Sequence, residues 1–252
     1  MTAFAVAAGA ASDLGAGRTA LVGLAVLLGQ LSVGWSNDWW DAPADLRTTR
    51  TEKPVVRGDL TRRGLGVATA IAAMLCIPVS LTLGWRAGLV HLVAVASAWA
   101  YNFVLKPTVL SWLPFAVSFG LLPSVVALAL PGHPWAAPTV MAVSALFGVA
   151  AHLTNGVKDM AADAETGVRG LPQRLGVVPA TTLSAVVVVA AMALLATDRR
   201  VSSMIPVGAA VVVLASIALV RALRGRADHL FELSMAAAVP IVVALVITGG
   251  VR

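Results

Sequence analysis

The stretch TALVGLAVLLGQLSVGWSNDWWDAPAD, Thr19 to Asp45, passes from a purely apolar register into an acidic one without a break. Its first nineteen residues, Thr19 to Asn37, carry no charge, and about twenty such residues are what a helix needs to cross a hydrocarbon layer. Asp38, Asp41 and Asp45 then follow within eight residues, in a chain that is only 12% charged. The apolar part predicts a membrane span, and the acids at its end predict something bound there.

The rest of the chain agrees with the first half of that reading. Of 252 residues, 59% are hydrophobic and the mean hydropathy is +0.89, whereas a soluble domain is about half apolar and about a quarter charged. Further spans are expected near 65–84, 87–105, 109–130, 135–155, 177–196, 201–220 and 230–249, eight in all with 19–37. The chain reads as an all-α polytopic membrane protein, one domain over residues 1–252. Pro78, Pro114, Pro123, Pro138 and Pro206 fall inside these spans and predict kinks that neighbouring helices compensate. LPGHPW, Leu130 to Trp135, predicts a tight turn between the fourth and fifth spans. The single cysteine, Cys76, excludes an intramolecular disulfide and reads as a packing residue. The N-terminal MTAFAVAAGAASDLGAG lacks the basic region of a signal peptide.

The net charge of +6 would suit nucleic acid in a soluble protein, but in a membrane chain it first reports topology, so no nucleic-acid partner is expected. If the loop after the first span lies on one side, that side collects thirteen of the eighteen Lys and Arg residues, among them Arg47, Arg50, Lys53, Lys106, Lys158, Arg169 and Arg174. The positive-inside rule makes it cytoplasmic. The two long polar loops, 38–64 and 156–176, share that face, and eight spans put the N-terminus outside.

The second polar segment repeats the first. NGVKDMAADAETGVRGLPQRLG, Asn155 to Gly176, aligns Asn155, Asp159 and Asp163 with Asn37, Asp41 and Asp45 as N-x-x-x-D-x-x-x-D. On a helix this spacing makes one stripe, drifting about 40° per step. Carboxylates so close repel one another unless a cation joins them. Magnesium takes one or two carboxylates, keeps waters and completes its shell with phosphate oxygens. Two facing stripes would therefore clamp a diphosphate through Mg²⁺, and Arg50, Lys53, Lys106, Lys158, Arg169 and Arg174 would add charge-assisted bonds to it. One such motif alone would read as helix-end capping or local ion pairing; two copies on one membrane face argue for a metal site.

At these residues the chain resembles the UbiA superfamily of intramembrane prenyltransferases. The family's first motif is matched by Asn37-Asp38, Asp41 and Asp45, followed by Arg50-Thr51 and Lys53-Pro54. Its second is matched by Asp159 and Asp163, followed by Gly167, Leu171-Pro172 and Leu175-Gly176. Between them YNFVLK, Tyr101 to Lys106, is similar to the family's Tyr…Lys element. The resemblance implies a helical bundle around a central cavity open to lipid, Mg²⁺, and an isoprenyl diphosphate donor. The departures are Lys53 where arginine is common, and five residues from Tyr101 to Lys106 where four is frequent. The family also has nine spans where eight are read here, so that a first helix is either missing or survives as residues 1–11.

Prenyl transfer requires the allylic C–O bond to ionise to pyrophosphate and a carbocation. Metal and bases stabilise the leaving group while a dry cavity protects the cation. Asp41, Asp45, Asp159 and Asp163 are the expected catalytic acids, with Asn37 and Asn155 joining them around the metal. Tyr101, Asn102 and Trp39 are candidates for the acceptor and prenyl pocket, and Trp40, Trp99 and Trp112 are weaker ones that also suit interface anchoring. His91 and His152, inside spans, read as interhelical hydrogen-bonding residues. The expected acceptor is lipophilic, a hydroxylated aromatic or quinone precursor. Competing expectations are a glycerol-phosphate lipid acceptor, terpene cyclisation without an acceptor, phosphoribosyl transfer to a lipid phosphate, and a transporter. The last is disfavoured because the span interiors hold almost no charge.

Overall fold

The computed structural model describes residues 1–47, 53–197, 217 and 221. The expected spans 201–220 and 230–249, and Arg50, lie outside the described residues, apart from Ile217. The described elements are helices: α1 (Thr2–Ala11), α2 (Ala16–Arg47), α3 (Pro54–Arg57), α4 (Arg62–Leu81), α5 (Trp85–Ala100), a π-helical turn (Tyr101–Leu105), α6 (Leu113–Leu128), α7 (Pro138–Lys158), α8 (Met160–Thr166), α9 (Leu171–Leu175) and α10 (Val177–Ala196). Five of them are long and apolar enough to cross a membrane: α2, α4, α5 with its π turn, α7 and α10. α6 is shorter, sixteen residues, and equally apolar. The chain is an integral membrane protein.

The six expected spans between residues 19 and 196 each coincide with a helix, and 177–196 does so at both ends. The reading of 38–64 as one long loop is corrected. α2 continues as helix to Arg47, carrying the first acidic segment with it. Hydropathy stops where charge begins, but a helix leaving the hydrocarbon layer needs only its backbone bonds. Pro43 inside this extension removes the donor that would have met the Trp39 carbonyl one turn back. Arg62 supplies a substitute, its Nε donating to Trp39 O at 3.2 Å. α4 then starts at Thr61, whose hydroxyl accepts from the Gly64 amide at 3.0 Å and caps the helix.

α6 lies at the centre, packed along α5 and α7, while α2 pairs with α4 and α7 with α10. From Leu122 to Leu130 every residue of α6 and the turn after it is buried, the pattern of a helix surrounded by others. α6 and α7 approach closely because small residues meet there. A Cβ built on Gly148 would collide with the Phe115 carbonyl, and one on Gly120 would sit 3.0 Å from Ala145 Cβ. Such contacts replace the hydrophobic drive that lipid cannot supply. α4 turns Val67, Ile71, Met74, Leu75 and Ile77 outward, an apolar face suited to acyl chains. The N-terminal segment folds as α1 and packs on α2 and α6, burying Ala5 and Ala8.

Candidate functional site

One face of α2 presents Val26, Gly29, Gln30, Val33, Gly34, Asn37 and Asp41 at spacings of one to four residues, a continuous helical stripe. α5 and its π turn run parallel to it, His91 beside Gly29 at one end and Lys106 beside Asp41 at the other, and add His91, Ala94, Val95, Ala98, Tyr101, Asn102 and Lys106. α6 adds Pro114, Phe115, Ser118, Phe119 and Leu122. Together they enclose a cavity of about 680 Å³. The C-terminal end of α7 and its continuation close one end with Asn155, Lys158, Asp159 and Asp163, and Lys53 joins from the segment before α3. The cavity therefore has two unlike halves. Three carboxylates, three asparagines and three lysines crowd one end, while the other end is mostly Val, Ala, Gly, Phe and Leu.

Residues of both acidic segments line this cavity. Asn37 Nδ2 donates to Asp41 Oδ2 at 3.2 Å, and Asn155 Nδ2 donates to Asp159 Oδ2 at 3.4 Å. Each asparagine thus turns its N–H to the aspartate one turn on, which leaves its carbonyl oxygen as the atom for a cation. The second segment is not one helix: α7 ends at Lys158, Asp159 caps both α7 and α8, and Asp163 lies in α8. The backbone bonds Asp159 N to Asn155 O (3.1 Å) and Asp163 N to Asp159 O (2.8 Å) carry the stripe across the junction. Gly167 ends α8 with φ of 74°, a left-handed cap.

Lysines already oppose these acids. Lys106 is ion-paired with Asp41, and Lys53 with Asp38 at 2.6 Å. Lys106 reaches its place because the chain closes a π turn there, its N–H bonding to Tyr101 O at 2.9 Å. An α-helix would set residue i+5 about 140° away from residue i. In a π turn the fifth residue completes the turn, so Tyr101 and Lys106 both face the cavity. The five-residue spacing noted in the sequence is absorbed by that geometry.

Other expected residues are placed differently. Asp45 is buried, 3% exposed, and is not on the cavity wall. Asn102 lines the cavity, but its amide donates to Val33 O at 2.9 Å and Ser36 Oγ at 2.8 Å, so it fastens the π turn to α2. Trp39 points away from the cavity: its indole lies against α4, where a Cβ on Gly66 would sit 2.9 Å from Nε1, and Arg62 stands 5.4 Å over its ring. Trp40 packs edge-on to Phe103, and Trp99 Nε1 donates to Ser32 Oγ at 3.2 Å. Neither lines the cavity. Arg169 and Arg174 are exposed and bond to each other, Arg174 Nε to Arg169 O at 2.8 Å. The aromatic residues that do face the cavity are Tyr101, Phe115 and Phe119. Tyr101 packs edge-on against Phe115 at 5.1 Å and against His152 at 5.7 Å. His152 bonds Ser111 Oγ at 2.9 Å, which ties α7 to the turn before α6.

Gln173 was not foreseen. From α9 its Nε2 donates to Asp163 Oδ2 at 2.6 Å and to Gly156 O at 3.3 Å, fixing the last acid of the second segment. Gly156 lets α9 dock so closely, because a Cβ there would strike Pro172. Gly156 follows Asn155 directly, and this was the one available signal in the sequence.

The UbiA prenyltransferase family model matches residues 1–249. Two solved structures share the fold. A UbiA homologue from Aeropyrum pernix K1, without ligand, superposes with a TM-score of 0.72 at 20% identity, covering 98% of this chain and 96% of its own. A digeranylgeranylglyceryl phosphate synthase superposes with a TM-score of 0.69 at 16% identity, covering 99% and 92%. No curated protein sequence matches the chain.

Proposed function

The chain belongs to the UbiA prenyltransferase family, and from that premise we propose that it transfers an isoprenyl chain from a prenyl diphosphate to a lipophilic acceptor, a hydroxylated aromatic or quinone precursor. The observation that carries this reading is the division of the cavity. Asn37, Asp41, Asn155, Asp159 and Asp163 with Lys53, Lys106 and Lys158 occupy one end, and an apolar barrel continues from it. A prenyl diphosphate has the same two halves.

The donor set suits Mg²⁺. Its atoms are hard oxygens, and one or two carboxylates suffice for an ion whose shell is completed by phosphate and water. Asp41 with Asn37, and Asp159 and Asp163 with Asn155, would hold it, and bound there it supplies charge neutralisation for the departing diphosphate.

The chain's own groups do the rest. Lys106 and Lys53 exchange their aspartate partners for phosphate oxygens, and Lys158 adds a third cation on the same wall. These bonds strengthen as the leaving group gains charge, so they lower the ionisation barrier as well as binding the donor. Phe115, Phe119 and Leu122 exclude water from the chain and from the cation once it forms. The ring of Tyr101, between the acids and Phe115, offers its face to the allylic carbon. Arg50, which follows the first acidic segment in sequence, is assigned to the diphosphate with Lys53. The polar end faces the cytoplasm, since Arg47, Arg57, Arg62, Arg63, Arg169 and Arg174 lie beyond it, whereas Arg18 and Arg86 lie at the other, bonded to the Ala129 and His133 carbonyls.

The test is incubation of the protein in nanodiscs with radiolabelled farnesyl and geranylgeranyl diphosphates, with and without phenolic acceptors. Acceptor-dependent, chelator-sensitive release of pyrophosphate with a prenylated product is expected. A cyclic hydrocarbon formed without acceptor would replace transfer by cyclisation. Unchanged turnover in excess chelator would remove the metal.

A further inference from the structure

The same cavity wall carries a polar group that the mechanism above does not use. His91 lies fifteen residues before Lys106 on the α5 side, and Gly29, which faces it, lies twelve residues before Asp41 on α2. At 1.5 Å per residue the group stands about 18–22 Å from the acids. His91 is 3% exposed, and it shares the cavity wall with Gly29, Gln30, Ala94 and Val95.

Hydrogen bonding fixes which ring nitrogen carries the proton. Ser80 Oγ donates to the Cys76 carbonyl at 2.6 Å, and a carbonyl can only accept. The single hydroxyl proton is therefore committed. Ser80 Oγ also lies 2.7 Å from His91 Nδ1, so Nδ1 must be the donor in that pair. Nε2 of the neutral ring is then an acceptor, and no described residue donates to it. It points toward α2 at Gly29, where a Cβ would come within 3.1 Å of Nε2 and 2.8 Å of Val95 Cγ2. Glycine at this position lets the ring approach α2 so closely while His91 remains part of the cavity wall. Gln30, the next residue on α2, adds a side-chain amide to the same stretch of wall.

A buried acceptor is costly unless something donates to it. A hydrocarbon chain end offers nothing. We infer that His91 Nε2 binds an O–H or N–H group carried by a ligand of this cavity at its end remote from the diphosphate. The cavity then recognises a molecule that is apolar in the middle and polar at that end. The inference rests on the proposed placement of diphosphate at the acidic end. The group belongs either to the tail of the donor or to the acceptor, and the chemistry of recognition is the same.

The experiment uses the full chain in nanodiscs and two matched pairs of probes. The first compares ω-hydroxyfarnesyl diphosphate with farnesyl diphosphate. The second compares a prenylated phenol with its methyl ether while farnesyl diphosphate is bound. One pair should show a preference of about three- to tenfold for the hydroxyl, the range of one net hydrogen bond. That preference should vanish in His91→Phe and persist in His91→Gln, whose amide oxygen also accepts. Should His91→Phe not fold, Ser80→Ala serves in its place. It frees Nδ1 from its donor role, and the preference should fall. A preference in the first pair assigns the group to the donor tail, and one in the second to the acceptor. Equal binding within both pairs, or a preference unchanged in His91→Phe, overturns the inference. Failure of farnesyl diphosphate to bind at all would instead sink the proposed function.

Discussion

The two acidic segments share a sequence pattern and reach different geometries. In the first, Asn37, Asp41 and Asp45 ride on one unbroken helix. The stripe drifts about 40° with each step of four, so Asp41 stands on the cavity wall while Asp45 has turned into the packing. In the second, the helix is interrupted at Asp159, and both Asp159 and Asp163 face the cavity. An interruption can thus correct a drift that a regular helix cannot. The partners differ in kind as well: a lysine holds Asp41, and a glutamine amide holds Asp163.

Isosteric loss of charge tests this contrast most strongly. Asp41→Asn and Asp159→Asn should each lower kcat/KM for the donor by about 10²–10³-fold, the scale of removing one electrostatic contact to a developing anion. Asp45→Asn should cost about tenfold or less. Radiolabelled donor turnover measures all three, and equal losses at Asp41 and Asp45 would erase the difference between wall and packing.

Next in size is Lys106→Ala, for which the donor KM should rise and kcat fall, together about ten- to a hundredfold. The acceptor KM should be unchanged. Steady-state kinetics with each substrate varied separately shows whether the lysine of the first segment acts on the donor alone. Gln173→Leu should cost about tenfold, and Gln173→Glu more, because a second carboxylate beside Asp163 repels it. A loss in Gln173→Leu as deep as that in Asp159→Asn would mean that the glutamine touches substrate instead of positioning Asp163. The smallest effect belongs to Trp39→Phe, with turnover within about twofold of the parent and a small drop in thermal midpoint from the contact with Arg62. A large fall in rate would return Trp39 to the cavity.

The sequence carried much of this in two forms. Uninterrupted apolar runs gave the helices, since lipid demands them, and repeated Asn–Asp spacing gave the acids that share an end of the cavity. What escaped depended on rotation about a helix axis. Trp39 sits two residues from both Asn37 and Asp41, but two residues are about 200° of turn, so it faces α4. Its aromatic character could not say so. Asn102 and Tyr101 are adjacent and both reach the wall, yet only contacts across to Val33 and Ser36 show that Asn102 fastens helices. Gln173 lies ten residues beyond Asp163 in a separate short helix, and no local period connects them.

The π turn at Tyr101–Leu105 bears on how this chain tolerates changes in length. A residue inserted into an ordinary span rotates everything beyond it by about 100° and carries a lining residue into lipid. Here five residues occupy one turn, and the surplus stays local. The face of α5 with His91, Ala94, Val95 and Ala98 keeps its orientation, and Lys106 keeps its own. Descent can therefore lengthen or shorten the chain by one residue at this point and leave both flanks in phase, which makes the turn a hereditary expansion joint in the cavity wall.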